Sequence, residues 1–248
     1  MIKHLSILPL LAAFSIAANA ATLTFSDTVS MPNDTDVSIY IPKFNTTTDI
    51  DPAPGAYNST VGATLTSVTV TVKALISGAN VQMDNDSASP QVGTARLQNL
   101  VNSYSGPNTL NTSFLQSIEQ SDMQLNTSQE FSLAATSGDT VGAFNATMAS
   151  DYSSWSPGTL EAGDSGVINP LIYASDYEGT DDLVFTINST YTTSATFIGD
   201  DGFFQGNTPN GQFFVEVTYE YSPVPEASTY ATIFGLVIFV FVGLRRRI

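Results

Sequence analysis

The sequence predicts an all-β fold: an antiparallel β-sandwich or jelly-roll-like ectodomain over residues 21–222. A cleavable signal peptide precedes it and a short transmembrane helix follows it. Three observations predict this. Apolar and polar side chains alternate with period two in several short runs, and the β-branched and aromatic residues in them suit half-buried strands. Clusters of Gly, Pro, Asn and Asp separate those runs as turn signals. Apolar stretches beside basic residues stand at both ends of a chain whose formal net charge is −16.

The first element is the leader, residues 1–20. Lys3 and His4 form a basic start, and Leu5 to Ala18 is mostly apolar. Ala18-Asn19-Ala20 then supplies the small-x-small pattern that a signal peptidase cuts, leaving Ala21 as the first mature residue. The chain has no Cys, and its one His, His4, departs with the leader.

The strands follow in order. Leu23-Thr24-Phe25 and Val37-Ser38-Ile39-Tyr40-Ile41 alternate, and Leu65 to Val72 does so most clearly, with Thr between apolar residues. Leu183 to Ile187, Tyr191 to Ile198 and Phe213 to Tyr221 complete the set. Asp51 to Gly55 and Gly206 to Gly211 are the strongest turn signals. Between Thr94 and Met123 the pattern is ambiguous: Ala95 to Val101 reads as one or two helical turns or as strand, and Ser113 to Met123 as a short helix or an edge strand. No repeat of 20–50 residues is visible, which argues against a solenoid. Ser222-Pro223-Val224-Pro225 marks the one clear boundary, because two prolines hold an extended spacer.

The last segment, residues 223–248, carries an apolar run from Ala231 to Leu244 and then Arg245, Arg246 and Arg247. Those 14 residues reach only about 21 Å as a helix, against a hydrocarbon core of about 30 Å. The arginines place the C-terminus in the cytoplasm. A short motif, a brief span and a terminal arginine cluster together resemble the PEP-CTERM sorting signal of Gram-negative bacteria. The residues that carry the resemblance are Val224-Pro225-Glu226-Ala227-Ser228-Thr229-Tyr230, Gly235 and the three arginines. Ala227 stands where the family usually has a second proline. The resemblance implies an exported precursor anchored transiently in the inner membrane. An exosortase would recognise it and remove the span near Pro225-Glu226, leaving the ectodomain at the cell surface or outside the cell, amid exopolysaccharide or biofilm.

A second resemblance covers roughly residues 22–221. Lys43-Phe44-Asn45, a Pro/Gly loop, and Gly62 to Val72 resemble the opening of the choice-of-anchor E domain, and Val217-Thr218-Tyr219-Glu220-Tyr221 resembles its closing strand. Asn45 replaces the usual Asp, and the connection to Gly62 is longer than usual. This resemblance implies an exported β-rich domain and brings no catalytic or binding residues.

The chemistry open to such a chain is narrow. Without His or Cys in the mature chain, a Ser-His-Asp triad, a thiolate nucleophile and an ordinary zinc site are excluded. Nucleic acid is excluded as a partner by the charge, since its binding depends on Lys and Arg. No catalytic residue is assigned, and the expected role is non-enzymatic. A Ser–Lys dyad would have to use Lys43 or Lys73, both read as edge charges that discourage strand addition. Asp181-Asp182, Asp200-Asp201 and Asp84-Asn85-Asp86 are read as turn residues, with carboxylate-dependent glycoside hydrolysis a distant alternative. Asp84, Asp86, Asp200 and Asp201 are also the candidate ligands for a structural Ca²⁺, which takes hard oxygen donors. Trp155, in Asp151 to Gly158, either plugs one end of the sandwich or stacks on a sugar from a loop, the carbohydrate-binding alternative. Eight Asn-x-Ser/Thr sequons, including Asn85 and Asn188, leave glycosylation open. Residues 21–226 retain all 23 acids and only Lys43, Lys73 and Arg96, a net of −20.

Overall fold

The computed structural model describes residues 20–50, 59–107, 120–136, 144–146, 150–168, 175–199 and 202–224, with positions 234, 235, 238, 239 and 242. It is all-β and antiparallel. Its strands are β1 (Ala21–Met31), β2 (Val37–Pro42), β3 (Thr64–Ser77), β4 (Val81–Asn85), β5 (Gln91–Ser105), β6 (Leu125–Leu133), β7 (Tyr152–Trp155), β8 (Leu160–Ile168), β9 (Asp182–Phe197), β10 (Gly202–Gly206) and β11 (Asn210–Ser222). A 3-10 turn, Gln120–Met123, precedes β6.

The strands form three sheets, in the orders β1-β11-β3-β8, β10-β4-β7 and β2-β9-β5-β6. The first two are one layer bent at a corner. β3 continues into β4, β8 follows β7, and β11 follows β10, in the same lateral order. Gly78 (φ 71°) and Gly158 (φ 79°) turn the corner in the left-handed conformation that glycine adopts without strain. Asn207 pins it: its Nδ2 donates to the Gly78 carbonyl at 2.7 Å, and its Oδ1 accepts from the Asn80 amide at 2.6 Å.

This bent layer covers the long back sheet, and the core lies between them. On β3, Val68, Val70, Val72, Ala74 and Ile76 face inward, fully buried. They meet Leu97 and Val101 of β5 and Phe185 and Ile187 of β9 in one apolar cluster. Beyond the corner, Val81 and Met83 of β4 bury against Ala95 and Leu133 of the back sheet. Each fully buried Val or Ile contributes roughly 1.5–3 kcal/mol over its exposed state.

Several sequence expectations change here. Of the ambiguous stretch, Thr94 to Ser105 belongs to strand β5, paired with β9 on one side and β6 on the other, Gln120–Met123 is the 3-10 turn, and 108–119 lie outside the described residues. The inward residues of β5 are Ala95, Leu97, Asn99 and Val101, a strict period of two. Asn99 hides that period because it is polar yet buried, donating from Nδ2 to the Met123 carbonyl at 2.9 Å. The two runs at 183–187 and 191–198 are a single strand, β9. Strands β4, β6, β7, β8 and β10 are additional to those read from the sequence; their short lengths or Ser/Gly/Asn content dilute the apolar signal.

Candidate functional site

The register places both chain ends of the domain together. β1 pairs with β11 so that Ala21 lies opposite Tyr221. Ala20 is exposed and Ala21 opens the first strand, while β11 closes at Ser222. Val224 is half exposed, and its Cγ2 lies 3.4 Å from where a Cβ on Gly62 would sit. Ala18, Pro225, Glu226, Ala227, Ser228, Thr229 and Arg245 to Arg247 lie outside the described residues. In the expected span, the described positions Phe234, Gly235, Ile238, Phe239 and Val242 are helical, and the four large apolar side chains among them are 49–80% exposed. No helix among the described residues is long and apolar enough to cross a membrane.

The two stretches that carry the second resemblance meet at this same end. Phe44 is fully buried, with its ring centroid 5.7 Å from that of Tyr219 and 5.2 Å from that of Tyr221. The Tyr219 hydroxyl donates to the Pro42 carbonyl at 2.8 Å. Asn45 Oδ1 accepts from the Thr47 amide and hydroxyl and the Thr48 amide at 2.8–3.0 Å. A carboxylate at this position would accept the same bonds. Gly62 (φ 70°) closes the turn, donating its amide to the Thr46 carbonyl at 2.8 Å. These motif residues therefore build an aromatic plug and a turn.

At the opposite end, past the corner, β4 finishes in Asp84 and Asn85. Both are fully buried, as is Asp151, and Asp86 is nearly so. This corrects the turn reading of Asp84-Asn85-Asp86: two of the three are strand residues. Asn85 ties the tip together. Its Nδ2 donates to the Ser89 and Ala134 carbonyls, its Oδ1 accepts from the Ser87 amide at 2.9 Å, and its own amide donates to the Asp151 carbonyl at 2.9 Å. The Asn145 amide donates to Asp84 Oδ2 at 2.6 Å. Among the described residues no three acids come together in a way that could hold a metal ion. Asp200 and Asp201 lie outside those residues; Gly202, which follows them, pairs with Asn85.

Lys43 and Lys73 are both committed to carboxylates. Lys43 Nζ stands 2.9 Å from Asp181 Oδ2, and Lys73 Nζ 2.7 Å from Glu161 Oε1. The bond from Lys43 holds the Asp181 carboxyl below its ordinary range. These carboxylates, and not serine hydroxyls, are the partners of the two ammonium groups. Lys73 is also no edge charge, because β3 lies inside its sheet between β11 and β8. Trp155 ends strand β7 opposite Val81 and packs against both apolar clusters, filling the seam at the corner. Trp155 thus stands on a strand, partly buried, where the sequence suggested a loop.

No family model matches the sequence, and no curated protein matches it. Among solved structures, a chain of Desmodium yellow mottle tymovirus aligns over 92% of this chain and 95% of its own length. The identity is 10% and the TM-score 0.18, too low to carry over fold detail or function.

Proposed function

We propose that this is an exported, non-enzymatic surface or matrix protein. A signal peptidase trims it after Ala20, and an exosortase-type enzyme releases it from its C-terminal span near Pro225-Glu226. One observation carries the reading most. The strands begin at Ala21 and end at Ser222, and those ends are neighbours on adjoining strands. Both targeting segments thus leave from one end, and removing them costs the β-domain no strand. The exposed helical Phe234, Ile238, Phe239 and Val242 suit a lipid-facing span. With the anchor end at the membrane, the Asn85 tip points outward. The domain is the displayed part, and its acidic surface keeps it apart from anionic lipid. The test is an intact-mass and terminal-peptide measurement of the surface form, developed below.

A further inference from the structure

The back sheet differs in charge from the rest of the domain. Its strands β2, β9, β5 and β6 hold two acids, Asp182 and Glu130, and one base, Arg96. The bent front layer carries Asp27, Asp84, Glu161, Asp164, Glu216 and Glu220 against one base, Lys73. On the outer face of the back sheet, registers align Thr192, Gln98 and Asn126 in one row and Ser194, Arg96 and Ser128 in the next. Rows on one face lie about 6.8 Å apart and strands about 4.8 Å. Among the described residues none of these six side chains has a hydrogen-bond or ion-pair partner, although the ectodomain is strongly acidic. By contrast, lower on the same face, Asn102 donates to Asn188 Oδ1 and Thr190 Oγ1 at 2.7–2.8 Å, and the hydroxyls of Ser38 and Thr186 lie 2.8 Å apart.

The unspent rows lead into a groove of about 490 Å³. Val92 and Ile198, 46% and 76% exposed, form apolar walls; Thr94, Ser132 and Glu130 supply polar groups; the Phe131 ring lies under Gly93.

We infer that this upper half of the outer back sheet, from the Thr192 row to the Val92–Ile198 groove, binds an extended neutral polysaccharide. Hydroxyls and amides both give and accept hydrogen bonds, as sugar hydroxyls require. Arg96 presents a planar fork of donors at the centre of the rows. The apolar walls suit the C–H face of a sugar ring. Glu130 in the groove and the net −20 of residues 21–226 disfavour a polyanion. The inference rests on the surface-display reading above and gives that display a ligand class.

The experiment is affinity electrophoresis of the full chain in detergent through gels containing dextran, a mixed-linkage β-glucan or a galactomannan, with alginate as the anionic comparison. The wild type is expected to be retarded by at least one neutral polymer and not by alginate. Arg96→Ala and Val92→Asp should each weaken that binding at least about tenfold, and Thr71→Ala on the front sheet should leave it unchanged. Arg96 is exposed, so its variant keeps the test valid if Val92→Asp fails to fold. No retardation by any neutral polymer, retardation by alginate instead, equal binding by Arg96→Ala, or self-association through this face would each overturn the inference. Processing at the two termini is read by mass independently of binding, so the two proposals fail separately.

Discussion

At the scale of single residues, the decisive positions are polar ones that settle backbone groups. Asn85 serves three at the distal tip, so Asn85→Ala leaves the Ser89 and Ala134 carbonyls and the Ser87 amide without that partner. Each such group costs about 1–3 kcal/mol, and with partial hydration the variant should lose roughly 2–4 kcal/mol in urea unfolding. Asn85→Asp should be at least as damaging, since a carboxylate would face the Ser89 and Ala134 carbonyls. A loss below about 0.5 kcal/mol would show that Asn85 does not organise the tip. Gly211 is a steric case. A Cβ there would collide with the Tyr191 hydroxyl, which itself donates to the Met31 carbonyl at 3.1 Å. Gly211→Ala should therefore cost about 1–3 kcal/mol through overpacking, read by the same unfolding curves.

At the scale of elements, β5 shows why part of the fold was legible and part was not. Where Thr alternates with Val, as in β3, the period of two is plain. In β5, Asn99 sits inward and Leu100 outward, so an apolar/polar reading loses phase. Burial of Asn99 becomes tolerable only through the Met123 carbonyl, a long-range partner invisible in sequence. Substitution can test the strand assignment. Leu97→Ala should cost about 2–5 kcal/mol because Leu97 is fully buried. Leu100→Ala, at a side chain 45% exposed, should stay within about 0.5 kcal/mol. Comparable losses at both would contradict the strand. The candidate sites divide in the same way. The motif at Phe44 and Tyr219–Tyr221 was visible as residues, but only the registers show its two parts stacking. Asp84 looked like a turn acid because Asx residues favour turns, and burial at a strand end overrode that preference. The face around Arg96 gave no local signal, since its rows join residues from three separated strands.

At the scale of the whole molecule, stability should depend on alkaline pH. Burial raises the phenols of Tyr104, Tyr191 and Tyr219 well above their ordinary value of 10.0. A raised folded-state value favours the neutral form, so its stabilising effect is complete below about pH 10 and is lost as pH climbs toward the folded values. Thermal midpoints should hold to about pH 9.5 and fall steeply above pH 10, together with the rise in tyrosinate absorbance. Free ionisation of these phenols near pH 10 without unfolding would contradict their burial. The same scale joins architecture to the proposed display, because one end of the domain carries both Ala21 and Ser222 and the other carries the tip.

The most direct test of that display is mass spectrometry of the protein recovered from the cell surface or matrix. The account predicts an N-terminus at Ala21 and a C-terminus at or just beyond Pro225-Glu226, without Arg245 to Arg247. A surface form that keeps Met1, or that ends in the intact arginines and Ile248, would contradict it.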